Sequence, residues 1–156
     1  MHKTNAARLL DSRKIAYGLV EYEVDEEDLS AVSLARKIGQ DPAQIFKTLV
    51  LRGDRNGVFV AVVPGDSEVN LRKAAKISGN KNAAMVLMKE LLPLTGYIRG
   101  GCSPLGMRKA YPVYIHETCQ FFDHIFVSAG IRGLQIRIHP QDLISVTTAT
   151  VCDITG

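Results

Sequence analysis

Apolar and polar positions along the chain follow two periods, one helical and one extended. Ala6, Ala7, Leu10 and Ile15 form a partial helical stripe behind Thr4, a residue type that caps helices. Tyr17, Leu19 and the stretch to Tyr22 read as a strand. Ser30 precedes a second helical stripe, Ala31, Leu34, Ala35 and Ile38, which Gly39 stops. Asp41-Pro42 pairs a cap with a proline at the first helical position. Ile45–Leu51 and Val58–Val63 are rich in β-branched and apolar residues, and Gly53-Asp54-Arg55-Asn56-Gly57 between them reads as a hairpin turn. Asn70 caps a basic helix ending at Gly79. Val113–Ile115, Ile125–Ser128 and Leu134–Ile138 are further strands, and Pro140–Ser145 is a short helix. Short strands mixed with several helices predict an α+β (mixed α/β) domain built on a central sheet.

Composition narrows this. A chain of 156 residues, 46% hydrophobic and 22% charged, is expected to form one domain over residues 1–156, and its aromatic content of 6% without tryptophan requires an aliphatic core. The longest strongly apolar run, Val58–Val63, is far short of the roughly 20 residues of a membrane span. The opening MHKTNAARLLDSRK has no apolar stretch followed by a small-residue cleavage site, so no secretory signal and no membrane association are expected. Three dispersed cysteines, Cys102, Cys119 and Cys152, suggest reduced thiols and a cytoplasmic setting. Net charge is +3, but unevenly spread. Residues 21–28 hold six of the sixteen acids, whereas residues 69–137 hold ten Lys/Arg against three acids. The basic stretch is either a solvated surface or a face that meets phosphates.

Two places could carry chemistry. If residues 45–51 form a strand, Ile45, Lys47, Leu49 and Leu51 share one face, and Phe46, Thr48 and Val50 share the other. Both faces are mostly apolar, which predicts a central strand with Lys47 in apolar company. Its ammonium either reaches water along a packed stem or stands half dry in a pocket, where it can bind a carbonyl oxygen or an anion. The segment Gly100-Gly101-Cys102-Ser103-Pro104-Leu105-Gly106 fixes an unusual backbone. It is either a tight connecting loop or a cradle of N–H donors for an acyl oxygen. A serine-hydrolase elbow is excluded: the residue after Ser103 is Pro104, which has no N–H to give an oxyanion. Cys102 is either an inert buried thiol or a nucleophile with His116 as base. The four histidines, His2, His116, His124 and His139, lack metal-ligand spacing, and neither a metal nor a nucleotide cofactor is expected.

The chain resembles the YbaK/EbsC family of bacterial Cys-tRNA(Pro) deacylases, which is related to the editing domain of bacterial prolyl-tRNA synthetases. The resemblance rests on Val20-Glu21-Tyr22-Glu23, Ile45-Phe46-Lys47-Thr48-Leu49-Val50, the segment from Gly96 to Gly106, and Val127-Ser128-Ala129-Gly130-Ile131-Arg132-Gly133. It implies a mixed, barrel-like central sheet of six or seven strands flanked by helices. It also implies hydrolysis of the ester joining a wrong amino acid to the tRNA 3′ end, typically cysteine on the proline tRNA. Lys47 is implied as the catalytic residue. Tyr22, Gly100, Gly101, Cys102, Ser103, Ser128, Gly130 and Gln135 are implied to line the substrate pocket. The implied partners are the aminoacylated acceptor end of tRNA and prolyl-tRNA synthetase. Catalysis in such a family runs on positioning and electrostatics, with help from the substrate's own thiol or ribose hydroxyl. One position departs: many relatives carry an aspartate where this chain has Gln135, so a charged partner for the substrate's α-ammonium is replaced by an amide. That departure keeps a non-catalytic binding or regulatory module open as the alternative function.

Overall fold

The structure, a computed structural model, describes residues 3–156, so the expectations placed on Met1 and His2 lie outside the described residues. Five helices and eight strands follow one another as α1 (Asn5–Ser12), β1 (Gly18–Glu21), α2 (Ala31–Ile38), β2 (Phe46–Gly53), β3 (Gly57–Pro64), α3 (Leu71–Ile77), β4 (Ala83–Met85), α4 (Met88–Thr95), β5 (Val113–His116), β6 (Ile125–Ser128), β7 (Leu134–Ile138), α5 (Pro140–Thr147) and β8 (Thr150–Cys152). The caps read from sequence are in place. Thr4, Ser30 and Asn70 accept from the backbone N–H of Ala7, Ser33 and Lys73, and Gly39 closes α2 in the left-handed conformation.

The strands form two sheets rather than one sheet of six or seven. The first is antiparallel, in the order β1-β7-β6. The second is mixed, in the order β4-β2-β3-β5-β8, with β3, β5 and β8 parallel. A single parallel bridge, Ile45 to Phe126, joins them, so the expected barrel-like sheet is not a closed barrel. Closure fails because β2 meets β6 only at that bridge and β4 only from Leu51 onward.

Strand alternation explains the layers. In β3, Val60 and Val62 belong to the main core with Ile125, Val127, Leu134 and Ile136 of the first sheet and Ala6 and Leu10 of α1. Phe59, Ala61 and Val63 point the other way, against Ala74 of α3 and Ile154. Both faces of β3 are therefore covered, which is why its sequence is an uninterrupted apolar run. The outer face of the first sheet packs Phe126 against Ala35 of α2.

Three elements escape the apolar periodicity. β4 and β8 span three residues each, too few to show an alternation. α4 contains Pro93, a helix breaker by propensity. It begins where the Glu90 carboxylate accepts from the Leu87 N–H at 3.1 Å, and Glu90 also pairs with Arg52 of β2 at 2.7 Å.

The turn between β6 and β7 holds Ser128 and Gln135 opposite each other. Gly130 in that turn has φ +105°, and a Cβ there would lie 2.8 Å from the Tyr97 ring. Gly130→Ala is expected to lower the unfolding free energy by roughly 2 kcal/mol, from backbone strain and overpacking. Urea denaturation measures it; an unchanged midpoint would contradict this account of the turn.

Candidate functional site

Between the Ile45–Phe126 bridge and the start of β4, one edge of β2 has no strand beside it. The direction of its main-chain groups follows from alternation. Ile45 accepts from the Gly65 N–H at the β3 side, and Val50 accepts from the Val86 N–H at the β4 side. In an antiparallel pair successive residues alternate, so Thr48 directs its N–H and C=O toward the unoccupied edge. A cleft of about 590 Å³ opens there. Its walls are β2, the start of α2, the β4–α4 segment, the loop after Ile98 and the Ser128–Gln135 pair. Because it wraps an edge, residues from both faces of β2 line it, Lys47 and Leu49 as well as Phe46, Thr48 and Val50.

Five of the nine residues named from sequence come together here: Lys47, Gly100, Cys102, Ser128 and Gln135. The Lys47 side chain keeps 26% of its exposure, and its Nζ is 3.4 Å from Glu68 Oε1. Glu68 itself is 93% exposed, so solvent screens the pair and a ligand can displace it at small cost. The charged residues lining the cleft are Lys47, Glu68 and Arg99. Of the ten Lys/Arg in the basic stretch 69–137, Arg99 is the one that lines it. Elsewhere in that stretch Lys73 is held by Asp153 at 2.8 Å.

The other four named residues support the cleft from outside its lining. Gly101 is buried, its N–H donates to the Ile98 carbonyl at 3.0 Å, and a Cβ would press on Ile131 and Arg132 backbone at 3.2 Å. Its amide is thus committed to the loop, as in the tight-loop alternative for this segment. Ser103 is fully buried, and its Oγ accepts from the Leu105 N–H at 3.2 Å, the bond of a turn hydroxyl. Gly130 provides the turn described above. Tyr22 is half-buried on the strand edge, where its N–H donates to Gly133. The N–H groups of Gly100 and Cys102 have no protein acceptor among the described residues. Gly100 reaches this geometry at φ +83°, a left-handed conformation open to glycine.

Neighbours hold the loop in shape. The Tyr97 hydroxyl donates to the Leu105 carbonyl at 2.6 Å, and the Arg132 guanidinium donates to the Arg99 carbonyl at 2.8 Å. Arg132 also lies 3.9 Å from Glu26, so the acidic segment is tied to the loop. Sequence reasoning missed Thr48, Glu68, Arg99 and the apolar rim of Met85, Leu87 and Met88. Thr48 follows Lys47, but strand alternation assigned it to the opposite face, and nothing local announces an unpaired edge.

Burial governs the thiols. It pushes Cys102 up to about 12 and Cys119 up to about 11 from an ordinary 9.0. Cys152 reaches about 11 through burial and then through the charges of Asp153 and Glu117. Tyr97 is likewise pushed up to about 12 by burial. Cys102 is therefore a thiol at neutral pH, a poor nucleophile, and His116 is occupied by the Ile154 N–H and Thr155 hydroxyl.

Several known proteins are similar to this chain. The family model described as an aminoacyl-tRNA editing domain matches residues 25–146. EbsC of Enterococcus faecalis, named as a Cys-tRNA(Pro)/Cys-tRNA(Cys) deacylase, is 46% identical over 98% of this chain and 93% of its own length. A proline–tRNA ligase of Shouchella clausii is 28% identical over 76% of this chain and 20% of its own length. A crystal structure described as a trans-editing enzyme for prolyl tRNA synthetase superposes with a TM-score of 0.86 at 25% identity, over 97% of this chain and 95% of that one.

The thiol shifts have a pH consequence. Above pH 9 the unfolded chain loses thiol protons that the native chain keeps, so fewer protons are bound in the unfolded state and stability falls with rising pH. Stability from these groups is complete below pH 9 and is lost toward pH 11 to 12. Cys102→Ala is expected to flatten that loss in urea melts taken from about pH 8 to about pH 10. Parallel curves for the two proteins would contradict it.

Proposed function

The chain belongs to the aminoacyl-tRNA editing domain family, and from that premise we propose that it removes a wrongly attached amino acid from tRNA by hydrolysing the aminoacyl ester. The observation that carries the reading is the cleft at the β2 edge, whose lining brings together the half-dry Lys47 and the residues Gly100 and Cys102, whose N–H groups have no acceptor among the described residues. An ester carbonyl seated there has a cation and backbone donors available to its oxygen as negative charge develops. In the tetrahedral step the attacking oxygen bonds the carbonyl carbon. The tRNA 3′ oxygen then leaves with a proton, and the amino acid is released as a carboxylate.

No protein nucleophile is required. Cys102 is protonated, Ser103 is enclosed, and an aminoacyl ester is already activated, so positioning and charge stabilisation carry the reaction. The attacking oxygen is that of water, which the terminal ribose hydroxyl helps to activate. On a cysteinyl substrate the thiol can attack instead, its sulfur bonding the carbonyl carbon and its proton leaving with the 3′ oxygen, so that a cyclic thiolactone is released in place of the carboxylate. Ser128, Gln135 and the apolar wall of Phe46 and Val50 hold the acyl group in the cleft. The substrate is the acceptor end of aminoacylated tRNA, with cysteine on the proline tRNA as the leading pairing by likeness to EbsC. Arg99 stands at the cleft to meet a phosphate of the 3′ strand, so affinity falls as salt rises. Likeness to part of proline–tRNA ligases supports action beside prolyl-tRNA synthetase, in the cytoplasm where tRNA is charged. Among the described residues no helix is long and apolar enough to cross a membrane.

Deacylation of Cys-tRNA(Pro), Ala-tRNA(Pro) and matched Pro-tRNA(Pro) tests the reading. Lys47→Ala is expected to lower turnover by about a hundredfold or more, while Cys102→Ala retains most of it. Loss of activity in Cys102→Ala alone would favour a thiol mechanism. No hydrolysis of any of the three by the native protein would leave a binding module.

A further inference from the structure

Where α4 begins, the sequence breaks a local rule. The N-cap of a helix favours Ser, Thr, Asp or Asn, yet Leu87 stands there with no side-chain oxygen to offer. Leu87 is 59% exposed, its neighbour Met88 64%, and Met85 at the end of β4 45%. One exposed apolar side chain is ordinary, but three within four residues make an apolar patch, and such patches mark binding surfaces. A departure from local preference that gains nothing in the fold points the same way. All three side chains line the cleft that holds Lys47. Their backbone is fixed on both sides. The Val86 N–H donates to the Val50 carbonyl of β2 at 3.1 Å, and the Glu90 carboxylate accepts from the Leu87 N–H while pairing with Arg52. The patch is therefore a rigid shelf at the cleft mouth.

The occupant follows from what else is bonded to the ester. In an aminoacyl-tRNA one ribose carries both the ester and the terminal nucleobase, so an acyl group seated beside Lys47 leaves the base at the lip of the same cleft. A nucleobase has flat, uncharged faces that pack on apolar surface. Two lips are available, and charge separates them. The lip at the start of α2 follows residues 21–28, which hold six of the sixteen acids. The β4–α4 lip carries the exposed Lys89, and Arg99 in the cleft lining follows α4 in the chain. A polyanionic strand is repelled from the first and drawn to the second. We propose that Met85, Leu87 and Met88 form the seat of the 3′-terminal nucleobase, whose flat face packs on them. This rests on the deacylase reading and adds a binding subsite to it. The contact buries apolar surface and involves no charge, so it is insensitive to salt screening, unlike the phosphate contact at Arg99.

The test compares two non-hydrolysable ligands, the cysteinyl amide of 3′-amino-3′-deoxyadenosine and the same amide on a sugar without a base. Calorimetry is expected to give the native protein roughly tenfold or greater preference for the base-bearing ligand. Leu87→Ser and Met88→Ser combined are expected to erase most of that preference. Leu92→Ser, on the same helix and equally exposed to solvent but outside the cleft lining, is expected to keep it. Leu87→Ser alone is expected to melt at the same temperature as the native protein or higher, since serine is the better N-cap. Equal affinity of the native protein for the two ligands would overturn the proposal, as would a preference that survives in the double variant or is lost equally in Leu92→Ser. A markedly lowered melting temperature of Leu87→Ser would also overturn it, because Leu87 would then serve packing. Failure of the native protein to hydrolyse Cys-tRNA(Pro) would count against the deacylase reading alone, because the calorimetric comparison does not depend on turnover.

Discussion

The missing neighbour along one edge of β2 is the constraint on which the candidate site depends. A strand edge without a partner leaves main-chain groups unpaired, and a continuous sheet would cover them. Here the two sheets share a single bridge at Ile45 and separate beyond it, while β4 arrives only at Leu51. The gap between these two contacts is the cleft. It admits side chains from both faces of β2, so a lysine on one face and a threonine on the other line the same space.

Everything around the gap serves to keep it open and shaped. The Gly100–Cys102 bend is fixed from one side by Tyr97 on Leu105 and from the other by Arg132 on Arg99. α2 closes the opposite wall by packing Ala35 against Ile45 and Phe126, the two residues that bridge the sheets.

Much of the fold was legible because capping and apolar periodicity are local signals. Thr4, Ser30 and Asn70 announced their helices, and the Val58–Val63 run announced a strand covered on both faces. The expected number of strands and the barrel-like sheet did not survive, because β4 and β8 are too short to show a period and because sheet closure depends on long-range pairing. In the site, Lys47 and the glycine bend stood out by composition: a charge in an apolar strand and glycines crowded into one turn. Thr48, Glu68 and the division of amides between the loop and the cleft did not, since each depends on which edge is left unpaired or which carbonyl lies within reach. Tyr22, suggested by resemblance, lies outside the cleft lining.

The central claim is that an acyl oxygen lodges between the Lys47 ammonium and the amides of the Gly100–Cys102 bend. A crystal structure with the cysteinyl amide of 3′-amino-3′-deoxyadenosine bound tests it most directly. The account predicts the amide carbonyl oxygen within about 3 Å of Lys47 Nζ and of the Gly100 or Cys102 nitrogen, with Glu68 released from the lysine. A carbonyl turned away from the bend, with Lys47 still paired to Glu68, would contradict it.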